Sequence, residues 1–503
     1  MKTIRLSLLG LATAACFFLQ KNPALCESNA RAALPPLLEF VDRRKVDSIA
    51  AWPERREEIR ALMVEHFIGS YPEQTPAILS AEVTASKTHE DGSVRRRIRV
   101  VLDTPRRVAF EMALWAPSGA GPFPLLLTAP RFYQRYWAED ALERGYAVCL
   151  FPGVDSHHRE ADYAGYDSIW QTVRREFPDA TWTEISTKAW LASRCIDYLL
   201  GDSSLVKISP WQIAIIGFSR YGKQAMIAGA FDERITCVVA RSPGSPGSSP
   251  YRLTSRNTYA EAPSDFPSEW FLPSLRNFTG RENDLPIDAH GWYALIAPRA
   301  CLIHTAQNDG SEPTFAVEKG YIEGRSVYRL LGAEQNLRID YRPGGHSSGP
   351  PPEQVGREDR QRNLDWIDLS LGRGLAKRSD GWKWHVPDWK NIPGSFRSTF
   401  AGMKLLCTDL PGSEVTIEFE GQAIGAYVLA GPDAGVLEIS IDGDDYKRVN
   451  LYHQYSRGLH YPRTVMFATD LKPGKHTAQI RVALPKRSTL GNRTARILQF
   501  TVN

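Results

Sequence analysis

No two cysteines in this chain have the spacing of a metal site or a redox motif. Seven are scattered singly through 503 residues, and the five beyond residue 30 (Cys149, Cys195, Cys237, Cys301 and Cys407) are widely separated and odd in number. That pattern excludes a disulfide framework and offers no Cys-x-x-Cys or His/Cys cluster, so neither a metal nor another cofactor is expected. Cys149, Cys237 and Cys301 lie inside apolar runs, where a free thiol behaves as a small hydrophobe. Charge of one sign is lacking too. Lys and Arg total 61 against 57 Asp and Glu, a net charge of +4. No basic block interleaves with aromatics, so no nucleic-acid partner is expected. Beyond the N-terminus there is no apolar run long enough to cross a bilayer, hence no transmembrane segment. There is also no internal repeat and no low-complexity tract.

What is present begins with an address. Lys2 and Arg5 precede an apolar run from Leu6 to Leu19, and polar Gln20, Lys21 and Asn22 come next. A charged-then-apolar segment of this length reads as a signal peptide, residues 1–28, with cleavage among the small residues between Cys26 and Ala30. It predicts a secreted or periplasmic bacterial protein. The stretch TAAC at 13–16 is a weak match to a lipoprotein site, since Thr13 stands where an aliphatic residue is usual.

Length and pattern divide the remainder in two. Residues 51–70 have the pattern of an amphipathic helix, and 81–120 alternate as antiparallel strands with one wet face. The runs FPLLLTAP, YAVCLFPG, QIAIIGFS, ITCVVARSPG, ACLIHTAQND and LRIDYRPGGH are short and mostly apolar, with helical patterns between them at 181–200, 223–231 and 314–331. Buried strands alternating with helices predict a mostly parallel sheet covered on both faces, an α/β domain over 29–375 that closes with a helix over 357–372. The Trp-, Gly- and Pro-rich stretch RSDGWKWHVPDWKNIPGS marks a boundary. Beyond it helical patterns vanish, and about seven strands punctuated by turns predict an all-β sandwich over 376–503, a carbohydrate-associated accessory domain by its tyrosines (Tyr427, Tyr446, Tyr452, Tyr455, Tyr461) or a sandwich that simply buries them.

The chemistry centres on IAIIGFSRYGKQAMIAG, residues 213–229. A buried strand runs into Gly217, a lone Ser219 comes after it, and a helix begins at once. The bland reading is an N-cap serine. Its partners favour a nucleophile. An α/β-hydrolase presents its triad in chain order serine, acid, histidine, each after a strand. Asp309 comes after the strand ACLIHTA, and His346 lies in a Gly-rich loop after LRIDYRP. Ser219 would attack an ester carbonyl, His346 would take and return its proton, and Asp309 would orient the imidazole. Glu312 is the reserve acid. Arg220, directly after the serine, can place a guanidinium beside the developing oxyanion. Lys223, one helical turn on, can reach an acidic or hydroxylated substrate, with a solvated helix lysine as its plain alternative. His304 reads as a strand residue.

GFSRYGKQAMIAGAFDERI resembles the G-x-S-R-x-G-K signature of the glucuronoyl esterases, carbohydrate esterase family 15. WTEISTKAWLASRCIDYLL, LPIDAHGWYALIAPRACLI, SVYRLLG and RPGGHS resemble further blocks of that family in order, over roughly residues 50–375. The resemblance implies an α/β-hydrolase fold without cofactor, Ser219 as nucleophile, His346 as base, Arg220 as side-chain oxyanion donor and Lys223 as a contact to uronate hydroxyls. The reaction it implies is cleavage of the ester joining glucuronic acid to lignin alcohols. Two departures stand out. ARSPGSPGSSP carries Arg241 and Ser242 where the family often has its glutamate, which moves the acid to the later loop and favours Asp309 there, with Glu312 still open. NDGSEP lacks the tryptophan that the family places there. A carbohydrate O-acetyl esterase and an inactive, carbohydrate-binding hydrolase fold are the alternatives.

Overall fold

The continuous apolar runs pair side by side as parallel strands, because only a sheet covered on both faces accommodates them. The computed structural model describes residues 33–130, 132–153, 169–201, 204–254, 261–265, 269–349, 355–372, 377–378, 381–403, 405–483 and 493–502. The expected signal peptide, with Cys16 and Cys26, lies outside them. By packing, the chain forms two units: residues up to Val327 with Leu337–Asn363, and Tyr328–Asn336 with Leu364–Asn503.

In the first unit α1 (Trp52–Met63) is continued by a wider turn over Val64–Ile68. The strands β1 (Ile78–Thr88), β2 (Val94–Leu102) and β3 (Ala109–Ala116) form an antiparallel meander with one face in water. Then come β4 (Phe123–Thr128), α2 (Phe132–Glu143), β5 (Ala147–Leu150), α3 (Ile169–Glu176), α4 (Glu184–Leu200), β6 (Ile208–Phe218), α5 (Arg220–Phe231), β7 (Cys237–Arg241), α6 (Gly291–Ile296), β8 (Ala300–Ala306), α7 (Thr314–Leu330), β9 (Leu337–Arg342) and α8 (Arg357–Ser370). They build a nine-stranded sheet in the order β1-β2-β3-β5-β4-β6-β7-β8-β9. From β5 to β9 all neighbours are parallel. The chain steps outward from β4 to β5 and returns to β6 on the other side of β4. The crevice at the carboxyl ends of these strands is where such sheets place ligands. This is an α/β-hydrolase sheet, as the strand pattern predicts. Cys149, Cys237 and Cys301 are buried in it.

The α4 helix, packed against α5, is buried along nearly its whole length. Thr183 caps it, with Ser186 Oγ accepting the Thr183 N–H at 2.9 Å, and a fully enclosed Lys188–Glu184 pair at 2.8 Å lies within the helix.

The second unit consists of two five-stranded antiparallel sheets, ordered β10-β13-β18-β15-β16 and β11-β12-β19-β14-β17. Here β10 is Lys377–Arg378, β11 Lys383–His385, β12 Leu405–Thr408, β13 Glu414–Gly421, β14 Ile424–Ala430, β15 Val436–Ile441, β16 Lys447–Asn450, β17 Tyr461–Ala468, β18 Gly474–Val482 and β19 Ala495–Val502. Alternate residues such as Val415, Ile417 and Phe419 of β13 fill the core with Trp382 and Ile480. Sequence pattern undercounts these strands. The stretch read as a boundary supplies β11, and Trp382 beside it is buried with its indole N–H donating to the Ser413 carbonyl at 3.1 Å. Strands of two to four residues contain too little alternation to register as such. Of the tyrosines, Tyr446 is held by Glu414 and lies under Arg481, whereas Tyr455 is exposed beside His453 and Tyr461. Among the described residues no helix is long and apolar enough to cross a membrane.

Candidate active site

Strand β6 delivers Ser219 to the crevice. Its last six residues are buried, and Ser219 then adopts φ 58° and ψ −126°, a region that costs a non-glycine residue about 1–3 kcal/mol. The helix α5 starts at Arg220, three residues earlier than its apolar pattern predicts. The Ser219 side chain makes no capping bond to it. Instead the Ser219 carbonyl accepts the Gly222 and Lys223 N–H groups at 2.8 and 3.2 Å, and the Ser219 N–H donates to the Arg241 carbonyl at 2.9 Å. The hydroxyl thus caps no helix N–H and stands at the tip of a sharp strand-to-helix turn, the position in which a nucleophile elbow presents its serine. Gly217 makes the turn possible: a Cβ there would lie 2.1 Å from the Tyr221 carbonyl oxygen. Tyr221, in place of a second glycine, is accommodated because its ring packs on Gly153, where a Cβ would come within 2.6 Å.

Strands β8 and β9 run parallel beside β7, so the loops beyond them emerge at the same end. Backbone bonds lace the two loops together, from Gln307 N–H to the Arg342 carbonyl and from Asn308 N–H to the Gly344 carbonyl, each 3.0 Å. This brings the Asp309 carboxylate to 2.9 and 3.1 Å from His346 Nδ1. The imidazole is half-exposed and its ring centre is 4.7 Å from that of Phe218, the residue before Ser219. Ser311 supports the pair, its hydroxyl donating to Asp309 Oδ1 at 2.7 Å and its N–H to the same oxygen at 3.0 Å. Burial works against ionising Asp309. The hydrogen bond and charge of His346, with the Ser311 and Ser242 hydroxyls, outweigh it and hold the carboxyl well below its ordinary value.

Glu312 does not reach the histidine. Wholly buried, its Oε2 accepts from the Gly244 N–H at 2.9 Å and the Ser248 hydroxyl at 2.6 Å, so it holds the SPGSPGSSP loop in place. Burial, reinforced by the charge of Asp309, raises its pKa from 4.5 to about 6. An acid with a raised folded pKa stabilises the fold fully below 4.5 and loses that contribution as pH rises through 6. Glu312→Gln is therefore expected to gain about 2 kcal/mol relative to the parent between pH 4.5 and 7.5, measured by urea unfolding at both pH values. A gap that does not change with pH would contradict this.

The two cations after Ser219 are also fixed. Arg220 is half-buried, with its guanidinium carbon 5.4 Å from the centre of the Trp270 ring. Lys223 is 2% exposed and its Nζ lies 2.7 Å from Glu261 Oε2, so it is a buried, paired cation and not a solvated helix lysine. Trp270 is presented by a segment pinned at both ends, where Glu184 N–H meets the Glu269 carbonyl at 2.7 Å and Leu272 N–H meets the Phe67 carbonyl at 2.9 Å. Sequence reasoning missed Glu261, Trp270 and Ser311. The first two lie in an irregular connection without periodicity, and no local signal ties them to the strand ends. Ser311 is visible only as a neighbour of Asp309. His304 is a buried strand residue, as its neighbours suggest.

Residues 100–332 match the family model described as Glucuronyl esterase, fungi. The 4-O-methyl-glucuronoyl methylesterase of Podospora anserina is 25% identical over 377 residues, covering 72% of this chain and 73% of that protein. A second relative, 4-O-methyl-glucuronoyl methylesterase 1 of Wolfiporia cocos, is 28% identical over 283 residues, 54% of this chain and 65% of its own length. Among solved structures, a promiscuous CE15 esterase from a marine bacterial metagenome shares the fold with a TM-score of 0.56 at 20% identity, over 68% of this chain and 98% of that one.

Proposed function

We propose that this chain is a carboxylic ester hydrolase of the glucuronoyl esterase family, in which Ser219, His346 and Asp309 cleave the ester between a uronic acid and an alcohol on a polysaccharide. The observation that carries the triad is the Asp309–His346 pair beside a serine held at φ 58° on a strand end. Ser219 Oγ attacks the ester carbonyl carbon while its proton passes to the imidazole nitrogen that faces away from Asp309. Asp309 fixes the tautomer and stabilises the imidazolium. The Arg220 backbone N–H and guanidinium receive the oxyanion, which the adjoining charge stabilises by about 3 kcal/mol. Collapse sends the proton to the departing alcohol. Water, activated by the same imidazole, then releases the acid and regenerates Ser219. Lys223 and Glu261, a cation and an anion side by side, suit sugar hydroxyls that both donate and accept.

This reading includes export directed by residues 1–28, a hydrolase domain over 29–375 and an accessory sandwich over 376–503. The specificity is tested by comparing one preparation on benzyl glucuronate and on an O-acetylated sugar. The expected result is turnover of the uronate ester at least about 100-fold faster, a difference of some 2.7 kcal/mol in transition-state binding. Faster release of acetate would make the enzyme a deacetylase. No turnover of either would leave only a binding role.

A further inference from the structure

One residue of β7 touches both halves of the catalytic apparatus. Phe218, Arg241, His304 and Asp340 are register partners across β6, β7, β8 and β9, forming a row at the carboxyl end of the sheet. The Arg241 side chain is completely buried. Its carbonyl accepts the Ser219 N–H at 2.9 Å, and its guanidinium carbon lies 4.6 Å from the Phe218 ring centre. Its Nη1 donates to the His346 carbonyl at 3.1 Å, and its Nη2 to the Ser348 hydroxyl at 2.9 Å and to Asp359 at 3.3 Å. Arg342 reaches the same loop from β9, donating to the Gly345 and His346 carbonyls, each at 2.6 Å, and to Ser242 Oγ at 3.0 Å. Asp359, also hydrogen-bonded by Ser348, lies between the two guanidinium groups. His304, 3.6 Å from Asp359, adds no third charge: burial and the charge of Arg241 push its pKa down to about 3.

Burying two guanidinium groups around one carboxylate is costly, and packing alone would be served better by apolar side chains. What they hold is a loop, PGGHSS, whose glycines give it little stiffness of its own and whose carbonyls have no strand partner. Arg342 is local to that loop. Arg241 comes from a strand 105 residues away.

We propose that Arg241 is a positioning residue, tying the His346 loop to the strand that bears Ser219 so that the imidazole stays in register with both Asp309 and the nucleophile. The proposal rests on the triad reading above. From β7 it orients the base through the main chain of the His346 loop, by charge-assisted hydrogen bonds. Misplacing a general base by about 1 Å costs about 100-fold in rate.

The test uses the full chain with Arg241→Met, which keeps much of the bulk and loses every donor, and Arg241→Lys, which keeps the charge but cannot span His346 and Ser348 together. In folded protein, Arg241→Met is expected to lower kcat on benzyl glucuronate about 100-fold with KM within about twofold, and Arg241→Lys to lower it about tenfold. In 15N-histidine-labelled protein, the downfield Nδ1 proton of the His346–Asp309 bond should broaden or vanish in both variants and persist in Ser219→Ala. Full kcat in Arg241→Met, or full rescue by lysine, overturns the proposal. Should methionine prevent folding, the lysine variant and its proton resonance decide alone. An unaltered resonance in a folded variant overturns the tie even if the protein turns over no ester, so its failure is distinguishable from failure of the triad.

Discussion

Ser219→Ala is expected to lower kcat on a uronate ester by about 10⁵-fold while leaving the thermal midpoint unchanged. The size reflects the loss of the nucleophile from a serine hydrolase: the covalent path closes, and only binding and the oxyanion donors remain. The unchanged stability reflects local geometry. The Ser219 hydroxyl makes no capping bond, the bonds that anchor the turn run through its main chain, and alanine meets the same φ of 58° with the same Cβ. Steady-state kinetics and calorimetry on the two proteins check both parts. An N-cap serine would give the opposite pattern, a stability loss of about 1 kcal/mol with activity nearly intact.

Asp309→Asn is expected to lower kcat by about 10⁴-fold, because the amide favours the wrong imidazole tautomer and cannot stabilise the imidazolium. Glu312→Gln should stay within about threefold, since Glu312 meets Gly244 and Ser248 and not His346. Reversal of these two results would transfer the acid role to Glu312. Asp309 also leaves a signature in stability. Its folded pKa is depressed, so its contribution is present above the ordinary carboxylate value of about 4 and is lost as pH falls below it. Asp309→Asn should therefore be less stable than the parent at pH 7, with the gap closing below about pH 4. Its direction is opposite to that of Glu312, whose contribution fades as pH rises. Two acids three residues apart thus carry opposite pH signatures, because one faces an imidazole and the other is wholly buried beside the charge of the first, which the Gly244 N–H and the Ser248 hydroxyl offset only in part.

Much of this is legible in the sequence because the chemistry sits at strand ends. Continuous apolar runs mark β4 to β8, and each is punctuated where the chain turns. Ser219 and Asp309 stand just beyond two of those runs, and His346 stands just beyond the strand pattern of β9. The choice between Asp309 and Glu312 is not legible at that level. Both come after β8, and only the folded loop turns one carboxylate to the imidazole and the other inward. Lys223 is marked by its spacing from Ser219, whereas Glu261, which pairs with it, lies 38 residues away without periodicity. Arg241 is conspicuous only as the residue in a glutamate's place. Its reach to the His346 carbonyl depends on the sheet order β6-β7-β8-β9, which no local pattern contains. In the sandwich, the long strands β13, β14 and β18 are plain in the alternation, whereas the short β10, β11 and β12 are not.

The central claim is that this fold makes Ser219 a nucleophile through His346. Treatment with a fluorophosphonate, with intact-mass measurement and peptide mapping of the product, tests it most directly. The account predicts one adduct per chain, located on Ser219, with ester hydrolysis lost in proportion and labelling abolished in His346→Ala. An enzyme that hydrolyses the ester yet takes no label on Ser219, or takes it on another residue, would contradict it.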